Sequence, residues 1–264
     1  MVTLAGIFPP MQPPERICPV AAAAESAGLA QLWVWEDCFK ESGIATATAM
    51  LATTSQLGVA IGLLPVPLRN VALTAMEIAT LARLFPGRLT AGIGHGVLDW
   101  MGQVGARVES PMTLLREYTT ALSALLSGET VTVHGRYVHL DDVTLDWPPA
   151  EVPPLLVGGI RPRTVSLAGE LSDGVIIPSE PSTEDVRAAA GHFHAGRDSG
   201  PGDVVVFTSV PADSKARDVA AAVSDYAAAG ATHVAIRTDE DDADLERFVT
   251  FLAGEVGPLV SAGG

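Results

Sequence analysis

The sequence predicts a parallel α/β barrel, and two observations carry the prediction. Short apolar runs alternate with longer stretches of helical periodicity, and eight such strand–helix pairs can be counted. The strands are too apolar to face solvent, which is typical of parallel strands covered by helices. A (β/α)8 barrel commonly needs about 250 residues, so the 264-residue chain is expected to form one domain over residues 1–264. The alternative is an open doubly wound sheet, and the count of eight favours closure.

The elements follow one another in a regular order. Predicted strands span Thr3–Phe8, Gln31–Trp35, Leu57–Leu64, Leu89–Ile93, Pro153–Val157, Gly174–Ile177, Val204–Val210 and His233–Ile236. Predicted helices span Glu15–Ala27, Ile44–Thr54, Val71–Leu84, Pro111–Leu126, Pro162–Leu171, Thr183–Ala195, Ala216–Ala229 and Ala243–Val256. One pair of short runs interrupts the alternation. Thr130–His134 and Tyr137–Leu140, joined by Gly135-Arg136, predict an inserted β-hairpin.

Charge and composition exclude several classes of partner. The formal net charge of −15 disfavours nucleic acid and anionic membrane surfaces, which both attract basic proteins. No apolar run approaches the roughly 18 residues of a membrane span, and the N-terminus lacks the features of a signal peptide. Cys18 and Cys38 are too few for a disulfide framework, and neither the cysteines nor the histidines are spaced as metal ligands. We expect a cytoplasmic protein without a metal.

The loop Gly158–Thr164 is the strongest candidate for a binding site. It follows a buried strand and opens a helix, with Pro162 near the first turn. Free N–H groups at a helix start attract anions, and glycine lets a phosphate approach the backbone closely. Arg161 and Arg163 add positive charge in an acidic chain. We expect phosphate binding here; the alternative is an ordinary tight turn after the strand.

Two further strand ends carry glycine. Gly62-Leu63-Leu64 runs into Pro65-Val66-Pro67, a backbone that cannot enter a helix directly, so a bulge is expected at the barrel mouth. Such a bulge can press against a flat ring, although a rigid loop is the alternative. Gly94-His95-Gly96 ends another strand but lacks the spacing of a dinucleotide fingerprint.

Polar side chains also follow the second strand, where Glu36 and Asp37 are candidates for the site or for a helix cap. We find no Ser-His-Asp arrangement and no GxSxG motif.

Together these segments resemble the bacterial-luciferase-like family of flavin- and deazaflavin-dependent oxidoreductases. The similar stretches are Ala22–Asp37, Gly62–Thr80, Pro86–Gly96 and Pro153–Gly174, in the family's order. Beyond Pro178 only the barrel-like alternation continues. The motifs are more similar to members that use coenzyme F420, an 8-hydroxy-5-deazaflavin, than to the light-emitting enzymes.

The resemblance implies a cofactor ring at the strand ends, a non-proline cis peptide at Gly62–Leu63, and a phosphate site in Ile160–Thr164. It implies that ring and phosphate are held by Gly62, Leu63, Leu64, Gly94, Gly96, Gly159, Ile160, Arg161, Arg163 and Thr164. Asp37 and His95 are the candidate proton-transferring residues. Arg69 is expected to join Arg161 and Arg163 around the acidic tail of a deazaflavin. The resemblance also implies a homodimer.

One departure limits the substrate prediction. Deazaflavin-dependent sugar-phosphate dehydrogenases of this family carry Asp-His after the second strand and Glu after the glycine motif, where this chain has Asp37-Cys38 and Gly96-Val97. We therefore expect hydride transfer between F420 and a small, partly apolar organic substrate other than a sugar phosphate. The alternatives are an FMN-dependent monooxygenase and a flavin-binding barrel without catalysis.

Overall fold

Eight parallel strands close into a barrel. The computed structural model describes residues 2–198, 200–240 and 244–262. The barrel strands are β1 (Thr3–Ile7), β2 (Gln31–Val34), β3 (Gly58–Pro65), β4 (Leu89–Gly94), β7 (Leu155–Gly158), β8 (Gly174–Ile177), β9 (Asp203–Val210) and β10 (His233–Thr238). Around the barrel they follow the order β1-β10-β9-β8-β7-β4-β3-β2. The open-sheet alternative is therefore wrong, because β1 pairs with both β2 and β10.

Helices cover the outside of the barrel. They are α1 (Ile17–Ser26), α2 (Gly43–Thr53), α3 (Val71–Leu84), α4 (Leu98–Gln103), α5 (Pro111–Leu126), α6 (Pro162–Leu171), α7 (Thr183–Ala195), α8 (Ala216–Ala228), α9 (Leu245–Phe251) and α10 (Gly257–Ala262), with a π-helical turn at Leu252–Val256. The sequence missed the short helix α4. Ala243, where the last helix was predicted to begin, lies outside the described residues. No helix in the described ranges is both long and apolar enough to cross a membrane.

The predicted hairpin is present as β5 (Val131–His134) and β6 (His139–Val143), outside the barrel. Glu117 on α5 anchors it by accepting backbone hydrogen bonds from Arg136 at 2.8 Å and Tyr137 at 2.9 Å. Burial by itself would raise the pKa of the Glu117 carboxyl, but the backbone hydrogen bonds together outweigh it and lower the pKa.

The core has two layers. The larger layer packs the strands against the helices, and a smaller cluster fills the barrel interior. In the interior, the rings of Trp33 and Phe207 meet edge to face with centroids 5.2 Å apart. Aromatic side chains thus close the barrel below its C-terminal mouth, so that this mouth has a solid floor.

Strand β3 carries the predicted bulge, but not the predicted cis peptide. Its register against β4 shifts between Ile61 and Leu64. The cis bond of the described backbone joins Cys38 to Phe39, so the prediction of a cis bond at Gly62–Leu63 is wrong. The shift in strand pairing accommodates the extra residue instead, while the Leu63 carbonyl accepts a hydrogen bond from Glu36 N at 3.2 Å.

Candidate active site

A cavity of about 1090 Å³ opens at the C-terminal ends of the barrel strands. This is the end at which (β/α)8 enzymes place their chemistry, because the βα loops converge there. Each of the eight barrel strands, or the segment that follows it, contributes to the lining. Its walls differ in chemical character.

One wall is apolar and aromatic. Ile7, Trp35, Leu63 and Phe207 line the cavity, and the rings of Trp35 and Phe207 lie 6.0 Å apart. Gly62 is required beneath them, because a Cβ at this position would lie 2.4 Å from Cζ of Phe207. The β3 bulge therefore presents Leu63 to the cavity beside aromatic rings, as expected for a surface that supports a flat ligand.

The opposite character is found at the start of α6. Gly159, Ile160, Arg161, Arg163 and Thr164 line the cavity together. No side chain accepts a capping hydrogen bond at the start of this helix, so its first N–H groups have no side-chain partner there. Arg161 and Arg163 are exposed, and neither guanidinium group has an ion-pair or hydrogen-bond partner within the described parts of the chain. The arrangement suits a phosphate.

His95 joins this wall from the end of β4. Its Nε2 lies 3.2 Å from the hydroxyl of Thr164, which in turn lies 3.4 Å from the sulfur of Met112. Its Nδ1 is buried and has no hydrogen-bond partner in the described structure. Burial, and then the positive charge of Arg161, lower the pKa of the imidazole. His95 is therefore neutral near pH 7, with one ring nitrogen left to a ligand.

Glu36 and Asp37 both line the cavity, but the Glu36 carboxylate is already held in an ion pair. It accepts hydrogen bonds from Arg69 Nη2 at 3.0 Å and from Gly43 N at 2.8 Å. Arg69 Nε also contacts Glu77 at 3.3 Å. The expectation that Arg69 reaches a cofactor tail is wrong, because two carboxylates hold its guanidinium and Arg69 is not among the residues that line the cavity. Of the two acids after β2, Asp37 remains the candidate proton acceptor.

Two predicted ring-site residues lie elsewhere. Leu64 is 1% exposed and packs towards α2, near Gly43. Gly94 is not a lining residue; a Cβ there would come within 2.6 Å of Leu63 Cδ2. A Cβ on Gly158 would lie 2.4 Å from the same Leu63 Cδ2 atom, so this glycine also makes room for the leucine. These two strand-end glycines thus serve the packing of the bulge.

The structure adds cavity residues that the sequence did not single out. Val97, Leu98 and Trp100 enter from the loop after β4 and from α4. Val97 and Leu98 are exposed, which gives the mouth an apolar border. Their signal in the sequence was a short apolar run after Gly96, too brief to separate from a loop.

Glu180 and Arg237 form a polar wall at the ends of β8 and β10. Arg237 Nη2 contacts Glu180 Oε1 at 3.1 Å, and both residues line the cavity. They lie 57 residues apart in the chain, so only the closed barrel brings them together. No cluster of three or more potential metal ligands occurs in the part of the chain that the structure describes.

Comparison with known proteins places this geometry in a family. The profile of the luciferase-like monooxygenase family matches residues 3–254. The 5,10-methylenetetrahydromethanopterin reductase of Methanolobus tindarius is 30% identical over 230 residues, which cover 84% of this chain and 70% of that protein. The F420-dependent glucose-6-phosphate dehydrogenase of Kineococcus radiotolerans is 31% identical over 180 residues, 63% of this chain and 53% of that protein.

Solved structures agree on the fold. An F420-dependent secondary alcohol dehydrogenase in complex with an F420-acetone adduct superposes with a TM-score of 0.88 at 17% identity, over 98% of this chain and 99% of that one. A type II Baeyer–Villiger monooxygenase from Pseudomonas putida, in complex with FMN, gives 0.79 at 15% identity, over 98% and 99%. The profile match, the 30% identical relative and the closed barrel agree: the chain belongs to the luciferase-like monooxygenase family.

Proposed function

We propose that the protein is an oxidoreductase that transfers a hydride between coenzyme F420 and a small, partly apolar organic substrate. The observation that carries the proposal is the pairing of two walls in one cavity. An apolar, aromatic wall with the β3 bulge shares the cavity with an uncapped helix start, whose two arginines have no ion-pair partner among the described residues. The names of the F420-dependent relatives and of the F420-bound neighbour support the same cofactor.

The residues present fit a deazaflavin. Leu63, Trp35 and Phe207 offer the flat apolar surface that a tricyclic ring needs, and they exclude water from it. Arg161, Arg163 and the first N–H groups of α6 would hold the phosphate. The unpartnered Nδ1 of His95 is a buried polar atom that a ligand would satisfy.

The bound deazaflavin would supply a carbon centre that accepts or donates hydride and activates oxygen poorly. The protein supplies the proton transfer and the orientation. A hydroxyl carbon that loses hydride also loses its hydroxyl proton, which Asp37 or neutral His95 would accept. The apolar walls would hold the reacting carbon in a dry site.

FMN-dependent oxygenation is the second candidate. Because Arg69 pairs with Glu36 and Glu77, two arginines at the mouth have no ion-pair partner in the part of the chain that is described, where the sequence predicted three. FMN needs a single phosphate site, which Arg161 and Arg163 also provide. The FMN-bound neighbour shows that the fold accommodates this cofactor.

Turnover without oxygen tests the proposal. Oxidised F420 should lose its visible absorbance when the protein is given a panel of secondary alcohols, and reduced F420 should regain it with the matching ketones. Asp37→Asn should lower kcat by about a hundredfold or more if Asp37 takes the proton. Asp225→Asn, on the exposed surface of α8, is the matched control.

Two outcomes would reject it. Oxygen uptake driven by reduced FMN, with no turnover of F420, would favour the monooxygenase. Binding of F420 without turnover of any tested alcohol, ketone, aldehyde or imine would favour a cofactor-binding barrel without catalysis.

A further inference from the structure

Two adjacent residues of the cavity wall have a backbone conformation that residues with a side chain rarely adopt. Ser179 has φ 70° and Glu180 has φ 54°, in the left-handed region that glycine adopts readily. Both follow β8 and line the cavity. Left-handed non-glycine residues persist where their surroundings hold them, and they are concentrated at functional sites.

A small set of contacts holds this turn. Glu180 Oε1 accepts hydrogen bonds from Arg237 Nη2 at 3.1 Å and from the Ser209 hydroxyl. Glu180 N donates to Phe207 O at 3.2 Å. Arg237 Nη1 donates to Thr238 O at 3.0 Å, which fixes the guanidinium on β10. We call Glu180, Ser209 and Arg237 the rim cluster.

Stability alone does not explain the rim cluster. The Glu180 side chain is 51% exposed and that of Arg237 is 26% exposed, and ion pairs so open to solvent stabilise a protein little. Two left-handed residues oppose folding. The strained turn therefore holds Glu180 against Arg237 at a net cost, which points to a role in the cavity.

The order of the strands places the rim cluster across the mouth from the bulge. Glu180 follows β8, while Ser209 and Arg237 lie near the C-terminal ends of β9 and β10. β9 lies opposite β3 in the closed ring, with three strands between them on each side. A ligand that contacts Leu63 of β3 on one side of the cavity therefore has Glu180 and Arg237 on the other side.

We propose that the rim cluster selects the substrate, and that Glu180 neutralises Arg237 so that the cavity accepts a neutral carbonyl or hydroxyl group and rejects a carboxylate. Arg237 retains N–H groups that can donate to a carbonyl oxygen, and the second carboxylate oxygen of Glu180 can accept from a hydroxyl. An anion gains from Arg237 but is repelled by Glu180, which gives specificity through an unfavourable contact. The proposal deepens the proposed function and rests on the same cavity.

A matched pair of ligands tests it. 4-Phenylbutan-2-one and 2-oxo-4-phenylbutanoate share a skeleton and differ in a methyl group against a carboxylate. Their dissociation constants are measured by calorimetry at fixed ionic strength, with the start of α6 occupied by inorganic phosphate or by bound cofactor. The native protein should bind the ketone more tightly. Glu180→Gln should tighten the oxo acid by about tenfold or more relative to the ketone.

Three further variants separate this effect from misfolding and from net charge. Arg237→Met leaves Glu180 unpaired and should weaken the oxo acid further, while Glu180→Gln combined with Arg237→Met should lose the gain. Glu184→Gln removes the same charge from the exposed first turn of α7, outside the cavity. It should leave the ratio of the two dissociation constants, oxo acid to ketone, unchanged.

An unchanged ratio in Glu180→Gln, a native preference for the oxo acid, or the same shift in Glu184→Gln would overturn the proposal, as would failure of both ligands to bind. If the native protein binds no deazaflavin, the proposed function fails separately. The ratios of the two dissociation constants measured with inorganic phosphate, or with FMN, would still decide the role of the rim cluster.

Discussion

Arg163 lies in the first turn of α6, exposed at the mouth of the cavity and free of ion pairs with the described residues. Charge-assisted hydrogen bonds to an anion contribute roughly 1.5–3 kcal/mol each. Arg163→Glu should therefore weaken cofactor binding by about tenfold or more. Fluorescence titration measures the effect. Arg187→Glu makes the same charge change on the exposed face of α7, and equal losses in the two variants would refute a phosphate contact at Arg163.

His95 gives the site a pH dependence with a defined sign. Its folded pKa is lowered by burial and by Arg161. As pH falls below about 6.5, the unfolded chain binds a proton that the folded protein resists, so stability is lost until the folded pKa is reached. Urea unfolding should show a steeper loss between about pH 7.5 and 5.5 in the native protein than in His95→Gln.

His233 also has a lowered pKa, from burial opposed by Asp203. Because it is present in both proteins, its contribution cancels in the comparison. Equal slopes for the native protein and His95→Gln would contradict the assigned environment of His95.

Single residues also show the limit of sequence reasoning about the site. Arg161 and Arg163 could be found because glycines and a helix start surround them. Glu180 and Arg237 could not, because neither has a motif and they meet only through the barrel. Arg69 was misassigned although its loop at a strand end was predicted correctly. Its ion pair with Glu36 depends on the geometry between β2 and α2, which the sequence does not show.

At the scale of the element, the β3 bulge depends on a residue without a side chain. A Cβ on Gly62 would lie 2.4 Å from Phe207 Cζ and 2.9 Å from Trp33 Cε3. Gly62→Ala should destabilise the protein by about 1–3 kcal/mol, since two fully packed rings must move. Urea unfolding measures this change.

Gly191 provides the matched control. It lies within α7, and a Cβ there would meet nothing within 4 Å. Gly191→Ala should stabilise the protein by roughly 0.5–1 kcal/mol, because alanine loses less backbone entropy in a helix. A neutral Gly62→Ala would mean that the bulge tolerates a side chain, contrary to the packing described.

Elements with clear local signals were predicted to the residue. Pro at the first turn fixed the starts of α5 and α6, and Ser182 with Asp185 forms a capping box at α7. The ends of strands shifted by a residue or two because pairing, not propensity, ends them. The position of the bulge was predicted correctly, but its backbone conformation was not. The glycine and prolines of this segment do not distinguish a register shift from a cis peptide bond.

At the scale of the whole molecule, α3 carries an apolar stripe that faces away from the barrel. Leu73, Met76 and Leu84 are 47%, 56% and 63% exposed and lie on one side of the helix. The stripe supports the expected homodimer. Light scattering at micromolar concentration should give twice the 27.3 kDa of the chain.

Met76→Glu should shift this dimer towards monomer, because it places a charge within the stripe. Leu259→Glu, on the exposed side of α10, is the control and should leave the dimer intact. A monomeric mass for the native protein, or equal dissociation of both variants, would contradict the prediction that the stripe forms the dimer interface.

One cavity joins a surface for a flat ring to a cationic site suited to F420. Paired titrations of cofactor-free protein with F420 and with FMN, at low and at raised salt, test it most directly. F420 should bind more tightly, and its affinity should fall more steeply with salt. Its phosphate and acidic tail together bring more negative charge to Arg161 and Arg163 than the FMN phosphate does, and exposed ion pairs are screened by salt. Tighter binding of FMN, or F420 binding that is indifferent to salt, would contradict a deazaflavin site.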